Sequence, residues 1–332
     1  MRLRPGLQVL RRGAAEVQVG TDPRWAVRLV DLDPADARAL TGLDAGTDLD
    51  DLDDRGASAD AAARLAPRLA AAGLTTTDDG RTAPGPSCAD AAVWSLLLPD
   101  GNGRGLVATR SARCVGVVGL GPVGLAVAVT LAAAGVGHVL LDDDRPVRAG
   151  DVGPAGYRWG DVGSRRAAVA ARLLRDTAPR VGVDDGTPPD LLVVAEHGAA
   201  DPARSAVLVG SAVPHLSVVV REGDTVVGPL VVPGSGPCLR CLDLHRTDLD
   251  PGWPVLLAQL TAPADDRPEV GVVAAVAAGV ASAAALAHLD GVVAPRPGVT
   301  FEVTLPDAVP RERTWAVHPD CGCTALPVPS GR

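Results

Sequence analysis

Residues 114–124 read CVGVVGLGPVG, an apolar run followed by glycines at Gly119, Gly121 and Gly124 and then by an alanine- and valine-rich segment. This pattern predicts a buried strand, a tight turn and a helix. In a nucleotide-binding α/β unit the first glycine makes the turn. The second lets backbone approach a phosphate, and the third lets the helix pack closely on its strand. The helix N-terminus then offers free N–H groups to an anion. Alone the motif is weak, because a glycine turn also serves packing. Here the next apolar run, HVLLDDD, ends in acids about 20 residues further on, the spacing expected of a ribose-binding carboxylate. Asp142 is the expected ribose ligand, with Asp143 and Asp144 expected as solvated loop charges.

From residue 112 onward apolar runs alternate with helical patterns. Helices are expected over Pro122–Ala134 and Ser164–Asp176, and the runs DLLVVA, AVLVG and HLSVVV are expected as strands. Continuous apolar strands alternating with helices predict a doubly wound, mostly parallel α/β sheet of Rossmann-like type. Glu222-Gly223-Asp224 between two valine runs predicts a hairpin. Val270 to Leu289 carries no formal charge over 20 residues, yet it is rich in alanine and glycine and contains Ser282 and His288. It is expected as a core helix and not as a membrane span.

The front of the chain has a different texture. LQVL, EVQVG and WAVRLV predict a small antiparallel sheet, and helices are expected at Asp33–Leu40 and Ser58–Ala72. The expected organisation is a winged-helix-like α+β domain at 1–75, a linker with one short helix (Ala89–Leu98) at 76–111, and the α/β domain at 112–332. Winged helices often read DNA, but charge argues against it here. Ten aspartates face two arginines between Asp31 and Asp60, within a formal net charge of -9. A nucleic-acid binder needs a basic face. All 31 basic residues are arginine, which excludes a P-loop lysine and Schiff-base chemistry. The N-terminal MRLRPGLQVLRRG lacks the apolar core of a secretory signal, so a cytoplasmic protein without a membrane partner is expected.

Four of the six cysteines form two close pairs, Cys238/Cys241 and Cys321/Cys323. Two chelating knuckles match a structural zinc site, with a disulfide or redox pair as the alternative. Cys114 opens a strand and is expected as a core thiol. Cys88 has nothing nearby that would activate it.

The glycine turn, the acidic strand end, DVG before a basic helix, a strand opening on Asp-Leu, the PCLRC knuckle, a long Gly/Ala helix and a closing HPDCGC occur in one order. That order resembles the ThiF/MoeB group of ubiquitin-activating-enzyme-like proteins over about residues 112–325. The resemblance implies ATP at Gly119, Gly121, Gly124 and Asp142, transfer of AMP to the C-terminal carboxylate of a peptide or small carrier protein, and zinc on Cys238, Cys241, Cys321 and Cys323. It also implies a homodimer. Adenylation needs cations on the phosphates and a carboxylate to hold Mg2+. The family's arginine and lysine correspond to Arg158 and to Arg165 or Arg166. Its catalytic aspartate is replaced, because Asp190-Leu-Leu-Val-Val-Ala-Glu196-His197 lacks the later aspartates and leaves Glu196 and His197 as candidates.

The front domain is similar to the leader-peptide-binding part of ThiF-like proteins in ribosomal peptide modification, which add the peptide as a strand to a sheet edge. A catalytically degenerate scaffold that delivers a leader peptide to a partner modifying enzyme is the second reading. An NAD- or FAD-dependent oxidoreductase shares the glycine turn but leaves the cysteine pairs unexplained.

Overall fold

The computed structural model describes residues 1–43, 48–76, 85–262 and 268–325. The chain forms two compact units, Met1–Thr109 and Arg110–Arg332.

In the first unit β2 (Val9–Arg11), β3 (Val17–Val19) and β4 (Val27–Leu29) form the expected antiparallel sheet in the order β2-β3-β4, while β1 (Arg2–Leu3) pairs with β5 (Thr75–Thr76). The alternating valines of β3 are buried. They pack with Leu3, Leu29 and Leu40 and with Leu65 and Leu69. These last residues belong to α1 (Pro34–Thr41) and α2 (Ala61–Ala71). Asp33 caps α1 by accepting the Ala35 N–H, and Pro34 opens the helix. The acidic run is partly structural. Asp36 is fully buried, accepts hydrogen bonds from the Ser58 N–H and hydroxyl, and pairs with Arg64 at 2.5 Å. Residues 85–109 hold α3 (Cys88–Leu97) and most of α4 (Gly103–Arg110). One helix is expected from the sequence in this stretch, because the glycines of PDGNGRG look like a turn. In the structure Gly103 is the first residue of α4 and abuts Ser95, an approach that a side chain would block.

The second unit is built on eight strands in the order β13-β12-β11-β10-β9-β6-β7-β8. β6 (Cys114–Val118), β7 (His138–Asp142), β8 (Gly182–Val183), β9 (Leu191–His197) and β10 (His215–Val220) run parallel. β11 (Asp224–Val231), β12 (Val299–Thr304) and β13 (Pro310–Thr314) extend the sheet antiparallel, with the expected hairpin joining β10 to β11. The doubly wound, mostly parallel sheet read from the apolar runs is therefore present. AVLVG, however, is not a strand. It ends α7 (Pro202–Gly210), which Asp201 starts by accepting the Ala203 N–H ahead of Pro202. That cap overrides the β-branched run.

α5 (Pro122–Ala133), α6 (Arg166–Thr177) and α10 (Gly271–Asp290) pack into the core with the sheet. α10 is the described helix that is long and apolar enough to cross a membrane, with mean hydropathy 2.0. It is instead a core helix. Val273, Ala274, Ala277, Ala281, Ala285 and Leu289 make one buried stripe, which meets α5 and β11. Small side chains on that stripe allow close helix packing. Its last residue, Asp290, forms a fully buried bidentate pair with Arg110, at 2.8 and 2.7 Å, and Arg110 Nη1 also donates to the Ala134 carbonyl. Asp290→Ala leaves a buried guanidinium without its carboxylate. It is expected to destabilise the second unit by about 3–5 kcal/mol, read as a lowered midpoint in urea unfolding.

Candidate functional site

The chain order runs outward from β6 to β7 and β8 on one side, and from β9 to β10 on the other. The switch point thus lies between β6 and β9, and ligands of doubly wound sheets bind beyond the strand ends at such a point. A cavity of about 340 Å³ opens there, lined by Val118, Gly119, Asp142, Ala195, Glu196 and His197 from the three strand ends. Asp143, Arg145, Asp201, Arg204 and Thr261 complete its wall.

Gly119 has φ +81°, a conformation that favours glycine, and a Cβ there would run into the Ala195 carbonyl. A Cβ on Gly124 would in turn meet the Gly119 carbonyl. These two glycines therefore let β6, β9 and α5 close on one another. Gly121 is the N-cap of α5, followed by Pro122 at its first position. Two amides of the turn and one in the first turn of α5 are already engaged. Gly119 N–H donates to the Asp142 carbonyl at 2.9 Å, Leu120 N–H to Asp143 Oδ2 at 2.8 Å, and Val123 N–H to Glu269 Oε2 at 2.8 Å.

Asp142 ends β7, exposed on the cavity wall. Asp144 is exposed as expected, but Asp143 is not a solvated loop charge. Its side chain is 2% exposed and joins Arg145 and Arg166. Burial alone would raise the Asp143 carboxyl, but hydrogen bonds from Arg145 and the Leu120 amide outweigh it and hold the carboxyl at about 2. Arg145 spans Asp143 with Nε and Nη2, both at 2.8 Å, and faces the cavity.

Arg166 is buried. Its fork bridges Asp143 and Asp151, at 3.1 and 2.6 Å, away from the cavity wall. Arg158 starts a short 3-10 turn at Trp159–Asp161, its N–H donating to Asp161, and does not line the cavity. Arg165 pairs with Asp144 at the surface. Of the expected cationic positions, none lines the cavity. Arg145 and Arg204 do, and the sequence reading missed both. Arg145 directly follows the acidic strand end, a position that carried the signal. Arg204 became legible only once AVLVG proved helical.

Glu196 and His197 end β9 side by side on the cavity. Burial pushes the Glu196 carboxyl above the usual carboxylate range, against the pull of Arg204 at 3.2 Å. His197 Nε2 lies 3.0 Å from Glu269 Oε1, so the histidine is held by an acid that the sequence reading also missed. Its partner amide at Val123 is 146 residues away, so no local pattern points to it.

The four cysteines converge elsewhere in the second unit. Their sulfurs lie within 4.8 Å of one another, with Cys238–Cys321 at 3.7 Å and Cys241–Cys323 at 3.5 Å. These spacings are far longer than a disulfide. They are close to the edge of about 3.8 Å that four Zn–S bonds make in a tetrahedron. His245, Asp248 and His318 form a neighbouring cluster. There His318 Nδ1 accepts the Asp320 N–H at 3.1 Å while Nε2 faces Asp248 at 2.9 Å. That polarity suits a proton on Nε2, donated to Asp248.

The ThiF family model matches residues 96–187. Comparison of the sequence with curated proteins found no match. Among solved structures, E. coli MccB with ATP superimposes with TM-score 0.66 at 16% identity, covering 97% of this chain and 99% of that one. The microcin C7 biosynthetic enzyme MccB in complex with N-formylated MccA gives 0.63 at 16%, covering 97% and 99%. PaaA gives 0.66 at 15%, covering 93% and 98%. Residues 96–187 thus match the ThiF family, and the chain shares the fold of MccB and PaaA.

Proposed function

We propose that this chain binds ATP at the glycine turn and transfers its AMP part to the C-terminal carboxylate of a peptide or small carrier protein. The observation that carries the reading is the cavity at the switch point, where glycine turn, Asp142, Arg145 and Glu196 meet. The match to ThiF and the likeness to MccB, which has been crystallised with ATP and with MccA, support it.

In this reading Asp142 holds the ribose. Arg145 and Arg204 face the phosphates, and Arg166 acts behind them by fixing Asp143, which in turn positions Arg145. The incoming carboxylate oxygen attacks the α-phosphorus as the bond to the β-phosphate breaks, so pyrophosphate leaves with the displaced charge. Two guanidiniums on the wall suit that charge better than solvent does. Glu196 is an oxygen donor of the kind Mg2+ takes, and the ion when bound would neutralise phosphate charge. His197, tied to Glu269, orients that acid.

Zinc on the four cysteines is structural in this reading, since the sulfurs stand apart from the cavity and leave no open position for chemistry. The three-stranded sheet β2-β3-β4 has β2 at one edge, where an extended leader peptide can add as a strand. A second reading, a noncatalytic leader-peptide scaffold, is favoured by one observation: Glu269 sits on the glycine-turn amide.

ATP–pyrophosphate exchange with a candidate peptide decides between them. Exchange is expected, with Arg145→Ala lowering it about 100-fold, the scale of losing one preorganised charge contact. Asp142→Ala is expected to weaken ATP about tenfold in calorimetry, as for one charge-assisted hydrogen bond. Absence of exchange while the peptide still binds favours the scaffold. Elemental analysis is expected to find one zinc per chain, and Cys241→Ser to lose it together with several degrees of thermal stability.

A further inference from the structure

The α5 N-terminus does not wait open for a phosphate. Glu269 fills it. One carboxylate oxygen accepts the Val123 N–H at 2.8 Å, and the other lies 3.0 Å from His197 Nε2. The side chain is 5% exposed. A Cβ on Gly121 would overlap Glu269 Oε1, so the carboxylate occupies the space beside the second glycine of the turn. A carboxylate and a phosphate oxygen compete for the same donors, because each is an anion suited to helix N–H groups.

We propose that Glu269 is a resident anion in the phosphate seat, clamped there by His197, and that nucleotide phosphate binds by displacing it. The inference rests on the proposed nucleotide reading of the cavity at the strand ends, which His197 lines, and names the group that a phosphate must displace at the adjoining helix end. Two groups of the chain itself then set the apparent affinity. The seated carboxylate lowers it by the fraction of molecules in which the seat is filled. Displacement also frees His197, next to Glu196, at the moment the phosphates arrive. The resident acid keeps a buried helix end satisfied in the meantime.

The test titrates the full chain by calorimetry with ATP and, separately, with inorganic tripolyphosphate. Glu269→Ala is expected to bind both about tenfold or more tightly than the wild type, the equivalent of one charge-assisted hydrogen bond no longer to be broken. Glu269→Gln is expected to gain less, because the amide still accepts the Val123 N–H without the charge. It also serves if the alanine variant fails to fold. Unchanged or weakened affinity for both probes in the variants overturns the proposal, and a weakening marks Glu269 as a contributor to binding. If tripolyphosphate binding improves while ATP never binds, the resident anion stands and the nucleotide reading falls. If no form binds either probe, both fall.

Discussion

The site depends on how closely three backbones approach one another at the glycine turn. β6 delivers the chain to Gly119, whose left-handed backbone turns it beneath the Ala195 carbonyl of β9, and Gly124 lets α5 sit against the same turn. A side chain at Gly119 would prise β9 from β6, and one at Gly124 would push α5 off the turn. β9 carries Glu196 and His197 on its last two residues, so their distance from the loop is set by atoms that the glycines lack. The parallel register pairs Val118 with both Asp142 and Val194, and β9 runs on three residues further, carrying Glu196 and His197 past the ends of β6 and β7. Those strand ends frame the cavity because the packing leaves them no other place.

Charge around that turn is arranged in layers. Asp143 receives the Leu120 amide, Arg145 and Arg166 together, and Arg166 reaches on to Asp151. A planar guanidinium can bridge two carboxylates in this way, whereas an ammonium on a flexible stem is a point charge. In a chain without lysine, the buried position at the start of α6 is thus used to lock an acid, not to reach a ligand. Tyr157 closes the layer by donating its hydroxyl to the Leu120 carbonyl at 2.8 Å, and burial keeps that hydroxyl protonated.

Much of this was legible in the sequence because it is local. The strand, the three glycines and the acidic strand end fall within 31 residues, 114–144, and the cysteine pairs announce themselves by spacing. What escaped was set by distance or by competition. Asp143 reads like Asp142 and Asp144 until the loop after β7 turns it inward onto Arg166, which lies 23 residues on. The AVLVG run has strand composition, yet an aspartate cap and a proline commit it to a helix and so put Arg204 on the cavity. Glu269 had no sequence signal at all, since its meaning comes from Val123 and His197, 146 and 72 residues away.

The acids around the cavity bear on what can enter it. Four carboxylates line the wall, at Asp142, Asp143, Glu196 and Asp201, against the guanidiniums of Arg145 and Arg204. They are not equivalent. Asp201 is committed to capping α7, and Asp143 is neutralised from both sides by Arg145 and Arg166. Glu196 pairs with Arg204, and burial still pushes its carboxyl above the usual carboxylate range against that one partner. Asp142 remains as the exposed acid. A polyphosphate entering here meets two cations already engaged by carboxylates. In the proposed reading it binds beside those carboxylates, with Asp143 still positioning Arg145. Under that reading Glu196, pushed toward protonation by its burial, would answer the added negative charge with a proton or a divalent ion.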